Sequence, residues 1–422
     1  MDKDAPTDQQ TVRFKTYPKN EQVTKYYTEV IKLNTKRPHL VHDMTLNYEY
    51  ICIDSGLMQS KNLPRPLEKL KLIKALYLNF YGADIENDMI LQNISQNVRS
   101  LSSLRILKLQ FPCVHWISLK GVEHLASALT QMKILKRLLM KFTFAWVNDE
   151  TLYLFFKSLK KSKNLRSFQL DISLCENITE KTFKYLAWTL KHLQQPLKEL
   201  CLGCAGLNLR EGNALHFLAS GLANLINLQT LRINFSQLRI SSTDNFSFLL
   251  SSLRHLKSLR VLILNFLFLP VNASVLKHLA SSFESLIHLH TLSLSFGSSP
   301  TFAVQEMEVL AQCLQSTASS LKNLTLDFSC SHSMNDKALE KLSAGLKALT
   351  KLSEINLQCN NCPNIGDIGV ESVVYELWDL PNLHSVNLYF RFCRPIKDAY
   401  EDGLRMKKNI KNLTFHYVHL EV

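Results

Sequence analysis

The chain has 422 residues, 46% of them apolar, with only 12 Gly and 12 Pro and a formal net charge of +13. This composition excludes a disordered or low-complexity chain. The longest apolar stretch, VLILNFLFLPV around Val261, is too short for a membrane span and contains Asn265 and Pro270.

Residues 1–19 show no apolar periodicity and are expected to be mobile. Their opening, MDKDAPTDQQ, lacks the apolar core of a secretory signal. A soluble, cytoplasmic protein is therefore expected, and its ten cysteines are read as free thiols. In residues 20–40, Val23, Tyr26, Tyr27, Val30 and Ile31 fall at i, i+3, i+4, i+7 and i+8. That spacing predicts a short amphipathic helix, suited to cap whatever follows.

From Val41 onward a phrase, apolar-x-x-apolar-x-apolar-x-aromatic, recurs thirteen times. It opens at Val41, Ile73, Leu104, Leu135, Leu165, Leu197, Leu228, Leu259, Leu289, Leu321, Leu352, Leu383 and Ile410, at intervals of 30 to 32 residues until the last, which is 27. A fixed period of this size marks a stack of similar supersecondary units. With the opening residue as position one, LKNLTLDF from Leu321 alternates with period two and predicts a half-buried strand. SCSHSMND reads as a turn that ends in a helix cap at Asn335 or Asp336. Leu339, Leu342, Leu346 and Leu349 then follow at helical spacing. Strands separated by crossover helices must pair in parallel.

Strand, turn and amphipathic helix built on LxxLxL resemble the leucine-rich repeat. The long helical unit resembles its ribonuclease-inhibitor-like subclass. The segment NIGDIGVESVVYELWDLPNL, from Asn364 to Leu383, is similar to that subclass's NxIGDxGAxxLAxxL phrase. The resemblance implies an α/β solenoid over residues 41–422, a curved horseshoe of about 12–13 repeats. A parallel sheet of about 13 strands would line its concave side and helices its convex side. The family includes inhibitors, GTPase regulators, ubiquitin-ligase receptors and cytoskeletal scaffolds. Its members usually carry Asn or Cys just after the strand. Here only Asn360 stands at position nine, so Cys113, Cys330 and Asn361, one place later, are expected to substitute. Phe80, Phe111, Phe142, Phe235, Phe266, Phe296, Phe328 and Phe390 at position eight predict an aromatic spine. The chain's last residues, NLTFHYVHLEV, read as an uncovered edge strand, a pairing hazard that makes an edge-mediated dimer an expectation.

No Walker loop, HExxH, GxSxG, EF-hand loop or dinucleotide fingerprint occurs, so no enzyme activity and no cofactor are expected. Cys201 and Cys204 lie on one strand with opposite facing and cannot chelate together. Cys330, Cys359, Cys362 and Cys393 approach one another across neighbouring repeats, as a zinc site or as small core residues, the latter being favoured. His288 and His290 lack a third ligand.

What remains for function is the strand face, supplied by positions three, five and seven. Two stretches stand out among its neutral polar residues. One comprises Ile106, Lys108, Arg137, Leu139 and Lys141; the other comprises Arg232, Asn234, Val261 and Ile263. Tyr77 and Tyr389 flank the arc. Arg and aromatic anchors amid apolar contacts are what binding hot spots use. Position two adds a basic rim: Lys74, Arg105, Lys136, Arg166, Lys198, Arg260, Lys322 and Lys411. The expectation is a non-enzymatic interaction module, regulatory or scaffolding, holding a protein partner with an acidic surface on its concave face. The alternatives are nucleic-acid or acidic-partner binding along the rim, and regulation of a GTPase.

Overall fold

The computed structural model of the chain describes residues 43–47, 74–80, 88–114, 117–193, 196–210, 213–394, 396, 405 and 410–418. The expected mobile segment 1–19 and capping helix 20–40 lie outside the described residues. The described residues fall into two compact units that divide between Ile178 and Thr179, and each repeats one plan.

The first unit holds β1 (Asp43–Asn47), β2 (Ala75–Asn79), β3 (Ile106–Gln110), β4 (Arg137–Lys141) and β5 (Ser167–Asp171). These strands pair in parallel and in chain order. From β2 on, successive strands are linked by helices α1 (Asp88–Ser100), α2 (Leu119–Gln131) and α3 (Asp149–Leu159).

The second unit begins with α4 (Glu180–Leu193). Its sheet runs β6 (Glu199–Gly203), β8 (Thr230–Asn234), β10 (Val261–Asn265), β11 (Thr291–Ser295), β12 (Asn323–Asp327), β13 (Glu354–Gln358), β14 (Ser385–Arg391) and β15 (Asn412–Val418), all parallel. Its further helices are α5 (Ala214–Leu222), α6 (Asn245–Ser252), α7 (Ala273–Phe283), α8 (Val304–Ser316), α9 (Asp336–Leu346) and α10 (Asp367–Asp379). β7 (Asn208–Leu209) and β9 (Arg239–Ile240) form a separate two-stranded ribbon. The architecture is an α/β repeat with a parallel sheet, compatible with a leucine-rich-repeat-like solenoid. No helix among the described residues is long and apolar enough to cross a membrane.

The main strands begin at position three and, through β13, end at position seven, the phase set by the alternating phrase. Positions four and six are buried, as at Leu107 and Leu109 or Leu231 and Ile233. Leu339, Leu342, Leu346 and Leu349 are all buried, as their helical spacing predicts. The cap of α9 is Asn335, whose Oδ1 accepts from the Ala338 N–H at 3.0 Å. Asp336 instead reaches into the next repeat and accepts from the Gly366 N–H at 2.6 Å. Helix entry elsewhere uses the same chemistry: Ser118, Asn148 and Asn272 each accept from the N–H three residues on.

The aromatic spine is present in each unit. Phe80 stacks on Phe111 at 4.9 Å and Phe111 on Phe142 at 5.4 Å between ring centroids. In the second unit Phe235, Phe266, Phe296 and Phe328 stack at 5.9, 5.6 and 6.0 Å. Hydrogen bonding from coil to coil continues past the strands: the position-eight N–H of Phe80 donates to Gln110, that of Phe266 to Ser295 and that of Phe328 to Gln358.

The turn that follows corrects one sequence expectation. Position ten has a positive φ at Cys113, Phe144, Leu174, Gln237, Phe268, Ser298, Cys330, Asn361 and Phe392, between 55° and 64°, and at Gly206. This left-handed residue turns the chain toward its helix, and within a unit its N–H can donate to the carbonyl of position nine in the next coil, as Cys113 does to Thr143, Gln237 to Leu267 and Cys330 to Asn360. Cys113, Cys330 and Asn361 therefore occupy the bend, where their backbone is what counts. The thiols that satisfy backbone carbonyls are one place further on. Cys175 donates to Phe142 O (3.0 Å), Cys362 to Phe328 O (3.3 Å) and Cys393 to Cys359 O (3.0 Å).

Candidate interaction surface

On the first unit's sheet face, parallel in-register pairing places Tyr77 beside Lys108, Lys108 beside Leu139, and Ile106 beside Arg137. The three cations differ in what holds them. Lys108 Nζ lies 4.3 Å from the centroid of the Tyr77 ring, a cation–π contact. Lys141 Nζ lies 3.7 Å from Asp171 Oδ2, a carboxylate that also accepts from Thr143 Oγ1 and the Ser173 N–H. Arg137 is exposed and in no ion pair among the described residues. Ile106 and Leu139 beside it are half-buried. Among the described residues, an exposed guanidinium outside any ion pair thus shares a sheet face with apolar side chains that are only partly covered.

Arg232, Asn234, Val261 and Ile263 lie in the second unit, on β8 and β10. Arg232 is in register with Cys201 on one side and Ile263 on the other. Its Nε is buried without a hydrogen-bond partner among the described residues. The Cys201 thiol points toward Glu199 Oε1 at 3.8 Å. Burial pushes its pKa up to about 12, Glu199 adds to the rise and Arg232 opposes it. Val261 and Ile263 are half-buried. Asn234 is committed to the turn, its Oδ1 accepting from the Ser236 N–H at 3.0 Å. Asn265 and Asp327 do the same for Leu267 and Ser329. An Asx residue closing a strand just before a turn is a sequence signal for this structural use of position seven. Tyr389, on β14 of the same unit, stacks on His416 at 4.9 Å, and Arg391 Nη2 lies 3.2 Å from His416 Nδ1.

The rim residues stack through their backbones. Within each unit, position-two carbonyls accept from positions two and three of the next coil, as Lys74 does from Arg105 and Ile106, and Arg260 from His290 and Thr291. In the first unit Lys74, Arg105, Lys136 and Arg166 fill every step from β2 to β5. In the second, Lys198, Arg260, Lys322 and Lys411 alternate with Gln229, His290, and the pair Ser353 and His384. Lys136 and Lys198 are half-buried and the other six are exposed.

The cysteines have structural surroundings. Cys204 is buried and Cys201 half-exposed, so the two face opposite ways. Cys359, Cys362 and Cys393 are buried, whereas Cys330 is exposed at its bend. No group of three His, Cys, Asp or Glu side chains among the described residues is placed to hold a metal ion. Burial pushes Cys362 up to about 12 and Cys393 up to about 11, which keeps both as thiols at neutral pH. His288 is exposed and His290 half-buried, with Nδ1 of His290 enclosed and lacking a hydrogen-bond partner among the described residues.

No protein-family model matches the chain, and no curated protein matches it.

Proposed function

We propose that the chain is a leucine-rich-repeat protein of the ribonuclease-inhibitor-like kind that works in the cytoplasm as a non-enzymatic interaction module. It holds a protein partner with an acidic surface on the strand face of its first unit, in a regulatory or scaffolding role. The observation carrying this reading is Arg137. It is exposed and outside any ion pair among the described residues, while Lys108 and Lys141, further along β3 and β4, are engaged by Tyr77 and Asp171. A guanidinium flanked by half-buried Ile106 and Leu139 is the composition of an interface anchor: one desolvated charge partner with apolar contact around it.

The test is affinity capture from nuclease-treated cytosol with the full chain, comparing wild type with Arg137→Glu/Leu139→Ser. The expected result is a set of protein partners retained by wild type and lost by a variant whose circular dichroism and melting are unchanged. Equal capture by both baits overturns the assignment to this face.

A further inference from the structure

In the first unit, the edge of the sheet where β3, β4 and β5 begin carries cations and no carboxylate. Three successive helix-to-strand loops form it, and residues 99–106, 131–137 and 159–167 contain no Asp or Glu. The last turn of α1 brings Arg99 and the loop after it Arg105, and the loop after α2 brings Lys133 and Lys136. The loop after α3 brings Lys161, Lys163 and Arg166. All of these are exposed except half-buried Lys136. None is in an ion pair among the described residues; Arg99 donates to the neutral Ser127 Oγ at 2.7 Å. Asn164 Nδ2 donates to the Lys133 carbonyl at 2.7 Å, which ties the second loop to the third.

A general cause favours cations here, because parallel helices aim their carbonyl ends at this edge. The same cause acts in the second unit with a different result. Residues 223–229, after α5, carry no charge at all, and Glu284 and Asp379 stand at the carboxyl ends of α7 and α10. Helix ends alone therefore do not account for the cation density of the first unit.

We propose that this edge binds an acidic polypeptide segment of a protein partner. The proposal builds on the reading of the chain as a protein-binding module and adds a second surface with its own chemistry. The edge exposes carbonyl ends rather than the N–H groups that cradle a phosphate, so an anion is held only through long side chains. Exposed Ile134 stands between Lys133 and Lys136, an apolar contact that a peptide side chain can use and a phosphodiester backbone cannot. The three loops carry no exposed aromatic ring on which a base would stack. At strand spacing they extend roughly 10 Å, the length of about three extended residues.

The test uses the full chain and a fluorescein-labelled peptide of repeating Glu-Glu-Leu-Gly, with its Gln-for-Glu counterpart and single- and double-stranded 20-mer DNA as competitors. Anisotropy is expected to show binding of the acidic peptide only. Affinity falls at least tenfold in Lys133→Gln/Lys161→Gln/Lys163→Gln and stays within twofold in Arg254→Gln/Lys257→Gln/Arg260→Gln, which removes the same charge from the second unit. Equal loss in both variants, tighter binding of either DNA, or no binding of the acidic peptide overturns the proposal. Loss of peptide binding with cytosolic capture still sensitive to Arg137→Glu/Leu139→Ser overturns the edge and leaves the sheet-face reading standing. Peptide binding with capture insensitive to that variant does the reverse.

Discussion

The thiol of Cys393 donates to the carbonyl oxygen of Cys359, one coil earlier, at 3.0 Å. Cys362 makes the equivalent bond to Phe328, and Cys175 to Phe142. A buried carbonyl left without this donor loses a partner worth about 1 kcal/mol, and more if water cannot reach it. The same burial sets a pH dependence. Cys175 and Cys362 are pushed up to about 12 and Cys393 up to about 11, with burial the largest cause in each. Above the ordinary thiol value of about 8.5 the unfolded chain releases these protons while the folded chain keeps them. Their contribution is complete below that value and is lost as pH rises toward 11–12. Urea melts at pH 7, 9 and 10.5 are expected to show a smaller alkaline loss in Cys175→Ser/Cys362→Ser/Cys393→Ser than in wild type. Parallel curves would mean these thiols do not sense the pH.

Phe144 and Phe268 hold φ values of 57° and 64° and are 55% and 49% exposed. A left-handed backbone costs a non-glycine residue about 1–2 kcal/mol, and half-exposed rings return little of it by burial. Phe144→Gly and Phe268→Gly are therefore expected to raise stability by about 1 kcal/mol each. Gly206, with φ 66° at the same position, supplies the reverse experiment: Gly206→Val should lower stability by at least as much, since a branched side chain fits this region worst. Thermal melts of the three variants against wild type decide it.

The strand phase, the parallel pairing, the buried Leu ladder and the Phe spine were all legible in the sequence, because each follows from a period of two or of thirty-one. The left-handed bend was not. Nine of the ten residues that adopt it are not glycine, and their types, from Cys to Phe, share no propensity that a reader could use. Only Gly206 and Asn361 are residues that favour it. The same blindness touched the candidate surface. Asn234 read as a binding group on the strand face, and its hydrogen bond to Ser236 depends on a turn whose shape the bend determines. Arg137 and Lys141 look alike in sequence, and only the position of Asp171 separates a free cation from a paired one.

Phe296 is a fully buried member of the spine. Its ring centroid lies 4.4 Å from Phe302, 5.6 Å from Phe266 and 6.0 Å from Phe328. Truncation of a buried Phe costs about 3–5 kcal/mol, and here three rings would face the cavity. Phe296→Ala is expected to reach that range in urea unfolding, whereas Phe296→Leu should cost clearly less. Equal losses would show that the stacking of rings, rather than the volume they fill, carries the energy.

Gly369 sits in the first turn of α10, against the first turn of α9. A Cβ there would stand 2.7 Å from Asp336 Oδ1 and 2.8 Å from Asp336 Cα. The second of these contacts is with backbone, so rotation of the Asp336 side chain cannot relieve it. Relief requires the two helices to separate, which would strain the bond from the Gly366 N–H to Asp336 Oδ1, now 2.6 Å. Gly369→Ala is expected to cost about 1–3 kcal/mol even though alanine is the better helix former. Gly366, in the same phrase, has its nearest neighbour 3.5 Å from an added Cβ, so Gly366→Ala should be tolerated within about 1 kcal/mol. Comparing the two unfolding midpoints tests whether the glycine at 369 is there for close helix approach. A neutral Gly369→Ala would mean that the gap between α9 and α10 opens at little cost.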